Sequence, residues 1–138
     1  MRNIKLTIEY DGKDFNGWQK QPNKLNIQGT IEKAIEQITG EEIDLIASGR
    51  TDAGVHAIAQ VANFKTNSQI PIEKFAVAIN TNLKKSIRII KAEEVDERFH
   101  SRLSCKRKTY RYVINNSEFS SAIYRNLETH IENKLDIK

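Results

Sequence analysis

The stretch Ser48-Gly49-Arg50-Thr51-Asp52-Ala53-Gly54-Val55-His56-Ala57 holds the residue types and spacing in this 138-residue chain that best suit chemistry. An arginine and an aspartate stand two residues apart, between the glycines at 49 and 54. Glycines permit positive φ and let a ligand approach the backbone closely. Arg50 and Asp52 could pair, and an aspartate beside a guanidinium has a lowered pKa and stays ionised. Such a carboxylate can serve as a nucleophile rather than a general acid. The plainer alternative is a tight turn held by an Asx hydrogen bond, with Arg50 on the surface. The spacing fits neither a phosphate-binding P-loop nor a dinucleotide fingerprint. His56 adjoins the segment, but histidines at 56, 100 and 130 with one cysteine, Cys105, lack zinc-ligand spacing, so a structural hydrogen bond is the better expectation for its ring.

A second segment could bind anions. Net charge is +4, yet six basic residues and no acidic ones lie between Arg98 and Ser117: Arg98, Arg102, Lys106, Arg107, Lys108 and Arg111. The rest of the chain carries 16 basic and 18 acidic residues, so the positive excess sits in this one window. A basic segment on a near-neutral background reads as an anion-binding face, or more blandly as a solvated strand. Alternation places Lys108, Tyr110 and Tyr112 on one side of an extended 107–113 segment, and Arg107, Arg111 and Val113 on the other.

The elements that must position these segments follow from periodicity. Residues 4–10 alternate strictly and predict a strand, ended by Asp11-Gly12. Residues 13–25, with Pro22 and several amides, predict a loop in which Trp18 could stack on RNA or cover the core edge, packing being the better expectation. Ile27, Ile31, Ala34, Ile35 and Ile38 recur at helical spacing, with Asn26 as cap and Gly40 as C′ glycine. Ile43, Leu45 and Ile46 suggest a short strand, and residues 57–65 another. Pro71 suits the first turn of a helix whose apolar face is Ile72, Phe75, Ala76 and Ile79. Residues 86–95 and 107–115 predict strands. The order is that of an α+β, ferredoxin-like βαββαβ domain, with helices on one face of an antiparallel sheet, the other face open, and one extra strand. RNA-recognition modules share this topology. The expected division is a domain over 1–115, then a connector over 116–138 that begins a further domain.

Beyond composition and periodicity, Gly49 to Ala57 resembles the catalytic motif of the TruA family of transfer RNA pseudouridine synthases over nine consecutive residues. Tyr10-Asp11-Gly12, Phe15, Gly17-Trp18-Gln19, Gln21-Pro22, Ile27-Gln28-Gly29-Thr30, Phe99-His100-Ser101-Arg102 and Lys108-Thr109-Tyr110-Arg111-Tyr112 agree in order and spacing. The resemblance implies Asp52 as catalytic aspartate, Arg50 as the residue that pairs with it and helps hold a flipped nucleotide, and Tyr110 as the aromatic stacked on the target uracil. Gly49, Thr51, Gly54, His56, Arg98, Arg102, Lys106, Lys108 and Arg111 are the expected substrate or RNA contacts. It further implies isomerisation of uridine in the anticodon stem-loop, at tRNA positions 38 to 40, by a homodimer with no metal or organic cofactor. The family runs to nearly twice this length, so the segment by itself is expected to be inactive.

Composition agrees with a globular cytoplasmic protein: 38% hydrophobic, 29% charged, no apolar run of about 20 residues and no signal-peptide pattern at Met1–Lys5. Two other functions compete. A non-catalytic RNA-binding module of the same topology would make Asp52 dispensable, although the chain has no RNP1 run. A metal-dependent phosphohydrolase would need a second carboxylate close to Asp52 in sequence, and none is there.

Overall fold

A computed structural model describes residues 1–104, together with the backbone of 114–115 and 129–130. Two compact units divide the chain, Met1–Lys106 and Arg107–Lys138. In the first, strict alternation makes β1 (Arg2–Tyr10) a half-buried strand whose Ile4, Leu6, Ile8 and Tyr10 point into the core. Each such side chain contributes about 1.5–3 kcal/mol when fully buried. Helix α1 (Ile27–Thr39) starts where the Asn26 side chain accepts the Gly29 N–H at 2.7 Å, and ends at Gly40 with φ 71°. Its Ile27, Ile31, Ala34 and Ile35 are buried. After β2 (Ile46–Ala47) and β3 (Ala57–Thr66) comes α2 (Ile72–Asn80), and β4 (Ile87–Val95) completes the unit.

The sheet order is β2-β3-β1-β4 with every pairing antiparallel, which is the ferredoxin-like βαββαβ topology expected from the sequence. Both helices contribute to the core on the Ile4–Leu6–Ile8 face, and Phe64 meets Phe75 edge to face at 6.0 Å. Two details differ from expectation. Pro71 is the residue before the helix rather than part of its first turn. The strand suggested by Ile43 to Ile46 shrinks to Ile46–Ala47, because the Leu45 N–H is taken by the Glu32 carboxylate at 3.0 Å and the Leu45 carbonyl by the Gln28 amide at 3.1 Å. Ile43 and Leu45 are still buried, as core residues in a non-strand segment.

The opposite sheet face was expected to be open, but part of it is covered by residues 96–101. Asn3 and Asn63 are each 1% exposed, and their side chains pair at 3.0 Å. Asn3 also donates to the carbonyls of Asp96 and Phe99, both at 2.9 Å, and the Ser101 N–H donates to Asn63 at 2.8 Å. Lys5 lies 5.6 Å over the Phe99 ring.

The second unit contains β5 (Ile114–Asn115) and β6 (Thr129–His130), paired in parallel. The end of the expected 107–115 strand is therefore strand. Cys105, Lys106, Arg107, Lys108, Tyr110, Arg111 and Tyr112 lie outside the described residues, as does most of the expected connector over 116–138. Among the described residues, no helix is long and apolar enough to cross a membrane.

Candidate active site

Residues 48–56 leave β2 and enter β3 as a loop without ladder partners of their own, so its backbone and side chains must be satisfied elsewhere. They are satisfied from two sides. From the sheet, the Ser48 N–H donates to the Val61 carbonyl at 2.9 Å and the Ser48 hydroxyl to Gln60 Oε1 at 3.2 Å. Gln60 Nε2 donates to the Gly49 carbonyl at 2.7 Å. The hydroxyls of Tyr10 and Thr51 are hydrogen-bonded at 2.7 Å. From the loop that follows β1, the Trp18 N–H donates to the Thr51 carbonyl at 3.0 Å and the Gly54 N–H to the Phe15 carbonyl at 3.2 Å. Within the loop, Val55 N–H closes a turn on the Asp52 carbonyl at 3.2 Å.

The first loop is itself tied down. Asn16 N–H donates to the Leu25 carbonyl, Ile27 N–H to Gly17 and Gln28 N–H to Trp18, at 2.8 to 3.1 Å. Trp18 is buried, its ring 6.1 Å from that of Tyr10, so the packing role expected for it holds. The two loops touch so closely that Gly17, at φ 87°, could not carry a Cβ, which would stand 2.7 Å from the Thr51 carbonyl oxygen.

His56 turns toward this contact. Its Nδ1 accepts the Gly12 N–H at 3.0 Å and lies 3.1 Å from Asp11 Oδ1. A nitrogen cannot offer a lone pair and a proton at once, so the Gly12 bond belongs to the ring unprotonated at Nδ1 and the Asp11 ion pair to the protonated ring.

Between these anchors Arg50 and Asp52 remain exposed. They line a depression of about 370 Å³ together with Asn16, Gln19, Gln21, Lys24, Thr51 and Ala53. Arg50 is bonded to Gln19 Oε1 at 3.4 Å, and no ion pair between Arg50 and Asp52 occurs among the described residues. The guanidinium is therefore oriented by an amide of the opposing loop, with the carboxylate left accessible. A larger depression, about 550 Å³, lies along α1, lined by Glu32, Glu36, Glu41 and Glu42 with Lys20 and Lys33. Its lining sets four carboxylates against two lysines, with Lys20 already paired to Glu32, and holds none of the residues of the 48–56 loop. Among the described residues, no three His, Cys, Asp or Glu side chains gather as a metal-ligand set.

The other expected contacts are distributed unevenly. Gly49, Thr51, Gly54 and His56 belong to the anchored loop, and Gly54 adopts φ 80°. Arg98 is exposed and paired with Asp96 at 3.2 Å. The Arg98 N–H, and then its guanidinium, hold the Asp96 carboxyl below its ordinary value. Arg102 is exposed. Lys106, Lys108, Tyr110 and Arg111 lie outside the described residues.

Sequence reasoning missed Tyr10, Gln60 and Gln19 as parts of the site. Gln60 had left a signal: it is a polar residue opposite Ile8, on the core side of β3 beside the apolar Ala62 and Phe64. Burial pushes the Tyr10 phenol above its ordinary pKa, against the smaller opposing effect of its bonds to Thr51 and Gln60.

Comparison with known proteins agrees with this geometry. Residues 6–103 match the family model described as tRNA pseudouridine synthase. The chain is 56% identical over 137 residues to tRNA pseudouridine synthase A of Caldicellulosiruptor saccharolyticus, covering 99% of this chain and 56% of that protein. It is 53% identical over 138 residues to the enzyme of the same name from Acetivibrio thermocellus, covering all of this chain and 57% of that protein. The chain thus spans little more than half the length of these relatives. A loop with an exposed aspartate, braced from beneath, and a family match over 98 residues that includes it lead to one conclusion: the chain belongs to the tRNA pseudouridine synthase family.

Proposed function

We propose that this chain supplies the catalytic aspartate of an enzyme that converts uridine to pseudouridine in the anticodon stem-loop of tRNA, at positions 38 to 40. The observation that carries the proposal is the Asp52 carboxylate, exposed at the rim of a depression and held on a loop fixed from both sides. In the reaction the glycosidic C1′–N1 bond breaks, the uracil turns, C5 bonds to C1′, the C5 proton leaves to a base and N1 gains a proton. A stacked base cannot turn, so the nucleotide must be flipped out, at a cost of a few kcal/mol. Asp52 acts as nucleophile, and attack at C1′ or at C6 starts from the same exposed oxygen. Arg50, steadied by Gln19, holds the flipped nucleotide by its phosphate. Tyr110 supplies the replacement stacking surface. Lys24, Arg98, Arg102, Lys106, Lys108 and Arg111 contribute phosphate contacts.

The working enzyme in this proposal is a cytoplasmic homodimer; because the relatives are nearly twice as long as this chain, residues 1–138 alone turn over little or no substrate. The test is tritium release from C5-labelled uridine in tRNA, with the full-length protein, its Asp52→Ala variant and residues 1–138 side by side. Release by the parent that vanishes in the variant is expected. Equal release from both would end the proposal, and no release with RNA binding intact would favour a non-catalytic RNA-binding module.

A further inference from the structure

Beneath the Asp52 loop the sheet carries polar side chains where packing alone needs none. Tyr10 ends β1 and Gln60 lies within β3, both on the core face, 2% and 8% exposed. A buried hydroxyl or amide is costly unless bonded, and apolar residues of similar volume would pack there as well. Their side-chain bonds converge instead on the loop: Tyr10 on the Thr51 hydroxyl, Gln60 on the Ser48 hydroxyl and the Gly49 carbonyl. Together these bonds make one brace beneath the loop. Its attachment points, Gly49 and Thr51, flank Arg50, and Asp52 is the next residue.

We propose that Tyr10, Thr51 and Gln60 are a single positioning unit, which fixes the backbone on both sides of Arg50 and so sets where the Asp52 carboxylate stands relative to the substrate; this rests on the function proposed above. Tyr10 and Gln60 are too buried to touch RNA, so their effect passes through the loop. A unit of this kind acts on the chemical step more than on RNA affinity, because of the proposed phosphate contacts only Arg50 stands on this loop, and the others lie elsewhere.

The test uses the full-length protein with Tyr10→Phe, Thr51→Val, the double variant and Thr51→Ser. Two readouts are taken: kcat and KM on C5-tritiated tRNA, and amide exchange at Gly54 and Val55 against Leu6 and Ile8 in β1. Each single variant is expected to lower kcat about tenfold with KM changed less than about twofold. Loop amides exchange about tenfold faster while β1 amides are unchanged. The double variant loses no more than the worse single, since either substitution breaks the same bond. Thr51→Ser, which keeps the hydroxyl, loses less than Thr51→Val.

Unchanged kcat in the singles, losses that multiply in the double, or faster exchange spread equally into β1 would each overturn the inference. Should Tyr10→Phe fail to fold, Thr51→Val, on a partly exposed loop, decides by the same criteria. A parent protein without turnover would refute the function proposed above, and the exchange readout would then decide this inference alone.

Discussion

A Cβ on Gly12 would stand 1.9 Å from the carbonyl oxygen of Val55, and 2.7 Å from its carbonyl carbon. Both are backbone atoms of the loop that carries Asp52, so neither can swing aside as a side-chain tip would. Gly12→Ala must drive the two loops apart by about an ångström, a shift that costs about a hundredfold in rate. The overpacking itself destabilises by about 1–3 kcal/mol. Gly54→Ala is the control: its φ of 80° strains an L-residue by about 1–2 kcal/mol, but nothing lies within 4 Å of the new methyl. Tritium-release kinetics and thermal unfolding of the two full-length variants check the contrast. Equal kcat losses would show that loop separation is not what matters.

Why Gly12 escaped the sequence reading is instructive. Asp11-Gly12 is a turn signal by residue type, and the turn is there. The reason alanine cannot replace the glycine lies 43 positions away, at Val55, and no local pattern encodes a contact of that span. Elements with local causes were legible: the alternation of β1, the isoleucine spacing of α1 with its Asn26 cap and Gly40, and hence the βαββαβ order. The exposed Arg50 and Asp52 were legible through residue type and motif. The bracing beneath them was not, because Tyr10 and Gln60 look like strand residues until the register places them under the loop. The 43–46 strand was overestimated for a related reason, since Glu32 and Gln28 of α1 capture the backbone of Leu45.

Tyr10 should make stability depend on alkaline pH. Its folded-state pKa is raised by burial, so above the unfolded value of about 10 the unfolded chain releases a proton that the native chain keeps. Stability from this group is complete below about pH 10 and falls as pH rises beyond it. Urea midpoints measured from pH 8 to pH 11 should fall more steeply for the parent than for Tyr10→Phe. Parallel curves would mean that Tyr10 ionises as it does in the unfolded chain.

Glu32 should be a structural carboxylate whose loss is felt in stability. Only 3% exposed, it accepts the Leu45 N–H at 3.0 Å, takes the Lys20 ammonium at 3.0 Å and reaches Gln28 at 3.4 Å. Glu32→Ala leaves the buried Leu45 N–H without an acceptor, costing about 1–3 kcal/mol. Glu32→Gln keeps an acceptor oxygen and loses the ion pair with Lys20, whose head is largely solvated, so it should cost less. Chemical denaturation of the three proteins orders them parent, Gln, Ala. Equal stability of parent and Glu32→Ala would show that Leu45 finds another partner.

Asn63 should govern the segment that leads into the basic stretch. Its amide donates to Asn3, and its oxygen accepts the Ser101 N–H, so one side chain joins the back of the sheet to residues 96–101. Asn63→Ala removes both bonds and strands the buried side-chain oxygen of Asn3 and the N–H of Ser101. Loss of about 1–2 kcal/mol of local stability raises the opened fraction about tenfold. Tryptic cleavage after Arg98 and Arg102 should accelerate by about that factor. Ser101→Ala provides the opposite case. Among the described residues, Ser101 Oγ is the buried side-chain polar atom with no hydrogen-bond partner. Deleting it removes an unmet desolvation cost and leaves the backbone bond to Asn63 in place, so cleavage should be no faster than in the parent. Faster cleavage in Ser101→Ala would mean that the hydroxyl itself holds the segment, and an unchanged rate in Asn63→Ala that the amide pair does not.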